Sequence, residues 1–594
     1  MDVSAPTRTR RRRVRLTPLR SIPVAFTGRT AEGPMTLGQL NILQWLSVAP
    51  RHVFATVSGE LAVPGGVSVD DVAETIGVLL TRHEGLRTTY VAGTRPRQRV
   101  AGDGVFALDV CSLDAGRWGA ADRPAVAEAL TRWLSDRGSR TMADFPVRAA
   151  VAVAPGEDGQ GERVIACAAE FSHMAVDHQG LEIVRREFAE MVRDPAKRRV
   201  GEPRHQPLDQ AELEATPAAR HQAATALCYW QDQLERMPRH LYPVPRAETT
   251  GESLSVELSS VAAAMAVRSV AARTRASRSS IVLAAVCAVV ARRTGYQELV
   301  LPLLSSNRFE RHLTRFVGTL AQGCVATVDV GTGSFDALVK QTWTSVIEAC
   351  RHGRYDAFER VAMGERLEHE RGIRFSYEPL FNSLVAESWS ALNAGLARHR
   401  GQVSDDVLRE TELRWRPVPH FPAPIRFGLN QIEGSVRLDL WSSDSGQVPR
   451  AEMESLLLAV ERLLVAAAHG DLDPGRVREA IGLDPIARGP NWTLVDSCWV
   501  DLDEVQRLLD EALAPATTRL FPSVGGQPLV AYVVATEAVR TPEQAHARCM
   551  AALPHHPTAL APRHYVLCGT TPQDPANLAA WHGVLSAGTG RVDP

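Results

Sequence analysis

The residues best placed to do chemistry lie in Phe171-Ser172-His173-Met174-Ala175-Val176-Asp177-His178-Gln179-Gly180. Before them, Arg163 to Ala169 reads as a short buried strand. After them, Leu181, Val184, Phe188 and Met191 recur at three- and four-residue steps, the pattern of an amphipathic helix that stops before Pro195. A histidine emerging at such a junction is held by two rigid elements and can face a cleft. A neutral imidazole there can take a proton from an attacking amine or hydroxyl, a contribution of roughly 10²–10⁴-fold in rate. Taken alone, a histidine in this position is more often a hydrogen-bonded structural residue, so its role turns on the rest of the chain.

Other chemistries lose their usual warrant. The sequence contains no G-x-x-x-x-G-K-[ST] phosphate loop, no G-x-S-x-G nucleophile elbow and no H-E-x-x-H helix. His555-His556 is an adjacent pair followed by Pro557; without a second ligand pair it reads as surface rather than as a metal site. No metal or cofactor is expected to be bound by the chain itself. The nine cysteines are scattered, odd in number and without a C-x-x-C pair, which fits reduced thiols and a cytoplasmic location.

Composition narrows the partners. Lys+Arg 66 against Asp+Glu 68 gives a formal net charge of -2, which removes any global case for nucleic-acid binding or a polybasic membrane anchor. No run of 18 apolar residues occurs, so no membrane span is expected. Only Lys197 and Lys340 are lysines, which leaves arginine as nearly all of the basic charge.

The 594 residues are enough for several globular units. A basic, disordered tail is expected over 1–15, a first lobe over 16–195, a polar linker with prolines 195, 203, 207 and 217 over 196–223, and a second lobe over 224–472. In the first lobe a helix carries Val69, Val72, Ile76 and Leu79 behind a Ser68 cap. In the second, Ile281 to Ala291 reads as an apolar helix after Ser279-Ser280, Glu298 to Leu304 as a strand, and Met453 to Ala467 as a helix. A break at 470–474 leads to a tail of small-domain size over 491–590, whose strand signal is clearest in Leu529 to Val534.

The His173 segment resembles the HHxxxDG motif of condensation domains in nonribosomal peptide synthetases and related acyltransferases. His173 matches the second, functional histidine and Asp177 the aspartate. Three further stretches match in the same order: Met35-Thr36-Leu37-Gly38-Gln39, then Arg82-His83-Glu84-Gly85-Leu86-Arg87-Thr88-Thr89-Tyr90 against RHExLRTxF, then Val317-Gly318-Thr319-Leu320. The resemblance covers about residues 16–472. It implies an α/β fold of two chloramphenicol-acetyltransferase-like lobes in a V-shaped pseudo-dimer. It also implies a free-standing enzyme of specialised-metabolite biosynthesis that moves an acyl or aminoacyl group to an amine or hydroxyl acceptor. The donor that the resemblance implies is a thioester on the phosphopantetheine arm of an acyl or peptidyl carrier protein. His173 is then the base, and Asp177 is structural, pairing with a second-lobe arginine for which Arg308 is the candidate. The bland reading of Arg308 is a solvated surface residue. Tyr355-Asp356 and Phe381-Asn382 fall where second-lobe loops approach the cleft, with packing as their stronger reading.

Two departures accompany the match. Ser172 replaces the family's first histidine, and His178 replaces the glycine after the aspartate, where glycine allows φ > 0 and close backbone approach. Ser172 and His178 together raise the alternative of a catalytically inactive carrier-binding scaffold, beside that of an acyl-CoA-dependent acyltransferase of the same fold. The segments Val500 to Val505, Leu529 to Val534 and Leu560 to Val566 resemble the small C-terminal subdomain of adenylate-forming enzymes. That subdomain's lysine has no counterpart, since no lysine follows Lys340. Carboxylate activation with ATP is not expected, and the tail reads as a docking or stabilising remnant.

Overall fold

The computed structural model describes residues 14–48, 56–91, 93–94, 96–114, 118–138, 142–155, 161–201, 204–242, 253–331, 333–385, 405–418, 425–443 and 448–591. The basic run Arg8 to Arg13 lies outside them. The chain divides into two compact units: one holds residues 1–221 and 306–322, the other 222–305 and 323–594.

In the first unit five strands form a sheet in the order Leu16–Phe26, Gly104–Leu113, Val147–Pro155, Glu162–Ser172, Thr56–Leu61. All neighbours are antiparallel except Gly104–Leu113 and Val147–Pro155. Alternation along Val147–Pro155 assigns its side chains to two cores. Ala149, Val151 and Val153 pack with residues of helices Val69–Arg82 and His178–Arg193. Ala150, Ala152 and Ala154 pack with helix Arg123–Ser135, and their small side chains let it lie close to the sheet. Both covering helices begin where side-chain chemistry dictates. Ser68 forms a capping box with Asp71, and Asp177 caps the helix His178–Arg193 through Gly180 N–H.

The stretch 196–223 is more structured than its prolines suggest. Pro207 and Pro217 each open a helix, Pro207–Glu214 and Pro217–Leu234, because a first-turn proline sacrifices no intrahelical bond. The division between units falls inside the second of these. Residues 306–322, between the strands Glu298–Ser305 and Gln322–Asp329, belong to the first unit.

The second unit carries a seven-stranded mixed sheet in the order Gln322–Asp329, Glu298–Ser305, Leu380–Ser383, Ile425–Gln431, Val436–Ser442, Leu254–Ser260, Glu412–Pro417. Its core includes helices Val261–Thr274, Arg278–Thr294 and Arg450–Ala468. The apolar helix is capped by Ser277, which accepts from Ser280 N–H, so it starts before the Ser279-Ser280 pair. No single helix among the described residues is long and apolar enough to cross a membrane.

The tail is an α+β unit. A hairpin, Trp492–Val495 with Cys498–Asp501, precedes helix Leu502–Ala512 and a sheet in the order Thr518–Val524, Gln527–Val534, His564–Cys568, Val584–Gly588. It does not separate as a compact unit of its own. Val505, Leu508, Leu529, Leu553 and Tyr565 share one core with Trp230, Leu234, Met237, Met363 and Leu367. Buried Arg239 reinforces the join by donating to the carbonyls of Leu553, His556 and Ala559 at 2.7, 2.7 and 2.6 Å. Desolvation pushes its guanidinium down to about 10.

Candidate active site

His173 sits on a tight turn between strand Glu162–Ser172 and helix His178–Arg193. Ser172 closes the strand: its N–H donates to Pro146 C=O at 2.7 Å, and its Oγ accepts from Met174 N–H at 3.3 Å. Its carbonyl then accepts from the N–H groups of Ala175 and Val176 at 2.9 and 3.2 Å. Serine in place of the family's first histidine thus supplies the turn's own acceptor.

Two carbonyls of the turn are pinned from outside. Thr319 Oγ1 donates to His173 C=O at 2.5 Å, and Tyr90 Oη donates to Met174 C=O at 2.8 Å. His173 is a partly exposed residue, with the Trp45 ring edge-on to its imidazole at 6.5 Å between centroids. Its Nδ1 is buried and has no hydrogen-bond partner. Desolvation holds the imidazole below the ordinary histidine value, so at neutral pH it is the uncharged, proton-accepting form.

Asp177 does not serve as a proton partner of His173, because its carboxylate is committed elsewhere. It accepts five hydrogen bonds: two from Arg308 at 2.6 and 2.7 Å, and one each from the N–H groups of Gly180, Leu320 and Ala321 at 2.8, 3.0 and 3.1 Å. Burial alone would raise its pKa; the Arg308 charge and these donors outweigh that and hold it below the usual carboxylate range. Arg308 also donates to Ser306 C=O and Gly318 C=O at 3.2 and 2.9 Å. Both side chains are buried, which sets the surface reading of Arg308 aside. The ion pair therefore clamps segment 306–321 onto the turn that carries His173.

The other motif residues support this clamp. Gly38 is required by close approach: a Cβ there would lie 2.2 Å from Thr319 O and 2.8 Å from Leu320 Cα. Thr36 and Gln39 exchange hydrogen bonds across the start of helix Leu37–Val48, from Thr36 N–H to Gln39 Oε1 at 2.9 Å and from Gln39 N–H to Thr36 Oγ1 at 3.1 Å. The charges of Arg82 to Arg87 are structural: Arg82 and His83 meet Glu187 at 2.8 and 2.9 Å, and Glu84 meets Arg29 at 2.6 Å. Of these residues, the roles of Thr319, Tyr90 and Gly38 are not expected from the sequence. All three lie inside the quoted motifs, but what each one touches is far away along the chain.

His178 is the first residue of its helix, partly exposed, and is not among the residues with positive φ. The conformational freedom of glycine is therefore not needed here, and the imidazole is carried without backbone strain. In the second unit, Tyr355 is buried and donates to Gly323 C=O at 2.8 Å. Asp356 caps the helix Ala357–Arg371, and Phe381 is core, so packing accounts for all three. His556 is not a surface residue: it is fully buried, with Nδ1 2.8 Å from Glu504. No group of three His, Cys, Asp or Glu side chains placed to hold a metal ion occurs among the described residues.

Comparison with known proteins agrees with this geometry. No curated protein sequence matches the chain. The SgcC5 protein from Streptomyces globisporus superposes with a TM-score of 0.52 at 17% identity, covering 74% of this chain and 99% of that one. A condensation domain that mediates chain release from the enacyloxin polyketide synthase gives 0.56 at 16% identity, covering 78% and 84%. A mutant starter condensation domain of rhizomide synthetase, in complex with C8-CoA, gives 0.54 at 16% identity, covering 77% and 98%. At these identities the structures establish the chloramphenicol-acetyltransferase-like fold alone. The condensation-domain family model matches residues 32–389, the span that holds His173, Asp177, Arg308 and Thr319, and the chain belongs to the condensation-domain family.

Proposed function

We propose that this protein transfers an acyl or aminoacyl group from a carrier-protein thioester to an amine or hydroxyl acceptor, with His173 as the base. The observation that carries the reading is the placement of His173: a partly exposed residue on a turn whose His173 and Met174 carbonyls and Asp177 carboxylate are fixed by Thr319, Tyr90 and Arg308, with desolvation holding its imidazole below the ordinary value. In this reading Nδ1 keeps its proton and Nε2 takes one from the acceptor as its N or O attacks the thioester carbon. The new C–N or C–O bond forms, the C–S bond breaks, and the proton passes to the departing thiolate. Asp177 and Arg308 are positioning residues. Fixing the reactants in attack geometry can supply roughly 7–11 kcal/mol, more than the base itself, so the clamp matters as much as the imidazole.

Intact-mass detection of product from acyl-loaded carrier and a panel of amines and alcohols tests this, with His173→Ala beside the wild type. Transfer that is lost in the variant is expected. Transfer from acyl-CoA without a carrier would change the donor, and carrier binding without transfer would favour a scaffold. The donor thioester's partner is then an acyl or peptidyl carrier protein, and the acceptor is a small amine or alcohol. No nucleic acid or membrane enters the reaction.

A further inference from the structure

A second cluster of side chains lies within the first unit, none of them in contact with His173 or Asp177 through a hydrogen bond. Arg82, Arg204, His205, Arg311, His312 and Arg315 line a cavity of about 450 Å3. The carboxylate these side chains contact is Glu187, and its charge is already shared: it accepts from Arg82 at 2.8 Å and from Arg204, and it faces His83. Arg82 also donates to the carbonyls of Val200 and Arg199, so each of its three nitrogens is already engaged and it forms the wall rather than the lure.

What remains is an excess of positive charge with donors to spare. Arg311 and Arg315 are exposed, and their guanidinium groups meet no carboxylate among the described residues. His205 is held by Gln210 at 2.8 Å, with the His312 ring edge-on at 4.6 Å and Phe316 at 5.9 Å. Arg204, Arg311 and Arg315 thus bring three guanidinium groups to one cavity, and among the described residues Glu187 is the carboxylate that hydrogen-bonds to its arginines, an arrangement suited to an anion. Guanidinium forks match the oxygens of a phosphate group, and several forks converging on one cavity suit an anion with more than one charged oxygen.

We propose that this cavity is a binding site for a phosphate or diphosphate group. Phosphate binding here does not depend on the transfer reaction. Which molecule presents the phosphate does rest on the proposed function, whose donors carry that group in two forms. In coenzyme A it is a diphosphate, and in a carrier's prosthetic arm it is a phosphodiester.

The test is calorimetric titration of the full chain with inorganic pyrophosphate, comparing wild type with the double variant Arg311→Gln/Arg315→Gln. Both positions are exposed, so the fold should tolerate the change, and a thermal unfolding curve checks this. The wild type should bind, more weakly as salt is raised, and the double variant at least tenfold more weakly. Pantetheine, which lacks phosphate, should not compete. Competition by coenzyme A would assign the coenzyme as source, and competition by the phosphopantetheinylated carrier but not the unmodified one would assign the arm. Equal affinity of wild type and variant, or no pyrophosphate binding by the wild type, would overturn the proposal. Neither of those results bears on whether His173 catalyses transfer.

Discussion

Asp177 and Arg308 stand 131 residues apart in sequence and meet through two parallel charge-assisted hydrogen bonds of 2.6 and 2.7 Å, both side chains buried. The pair joins the N-cap of the helix that follows His173 to the segment that carries Thr319. Its value lies in geometry rather than in net energy, because burying two charges costs about as much as their attraction returns.

Breaking the pair from one side should be severe. Arg308→Ala leaves the Asp177 carboxylate buried with only backbone donors, and a loss of about 3–5 kcal/mol is expected. Arg308→Lys should not restore stability, since an ammonium cannot make the two-pronged contact. Denaturant unfolding of both variants reads this directly.

Thr319 should act on catalysis through His173. Thr319→Val removes the donor to His173 C=O and leaves that carbonyl unsatisfied, at a cost of about 1–3 kcal/mol. Turnover should fall with little change in KM, and Thr319→Ser, which keeps the hydroxyl, should recover most of it. A variant whose KM rises while kcat is unchanged would place Thr319 in binding instead.

Gly38→Ala should disturb the same point from the other side. Its methyl group would meet Thr319 O at 2.2 Å, where only backbone can yield, so an overpacking cost of about 1–3 kcal/mol and a drop in kcat are expected. Thermal unfolding and steady-state kinetics on the one variant separate the two effects.

The pH dependence follows from burial of the imidazole. Burial depresses the folded-state pKa of His173 below its unfolded value of 6.5, so the base form persists into more acidic solution. The acid limb of kcat/KM should therefore lie below pH 6.5. As pH falls from 6.5 towards the folded pKa, the unfolded chain takes the proton first and the histidine's contribution to stability is lost. In His173→Phe that part of the stability profile should flatten.

The tail should prove inseparable from the second unit. Arg239→Ala orphans the carbonyls of Leu553, His556 and Ala559, and removing residues 491–594 exposes the core face of Trp230, Leu234 and Met363. The substitution should lower the melting temperature of the whole unit in one transition, and the truncation should aggregate. A truncated chain that stays monomeric with an unchanged melting temperature would contradict this.

What could be read in the sequence was local chemistry and pattern. The apolar steps from Leu181 to Met191 place the helix, and the His173 to Gly180 stretch names the site through its resemblance to a family. Contacts between distant positions have no such signature. Thr319 looks like any loop threonine until its hydroxyl is seen on His173 C=O, and Gly38 like any helical glycine until Thr319 O is found beneath it. His556 misleads for the same reason, since the Glu504 that allows an imidazole to be buried is 52 residues away. Prolines 207 and 217 suggest a linker because the residue opens helices as readily as it breaks them.

The most direct measurement is single-turnover transfer from an acyl-loaded carrier protein, followed by intact mass, for wild type, His173→Ala and His178→Gly. A catalytic role for His173 predicts product with the wild type, loss of roughly 10²-fold or more in His173→Ala as expected for a general base, and retained transfer in His178→Gly. Equal rates for the wild type and His173→Ala would contradict it, as would product formed only by His178→Gly.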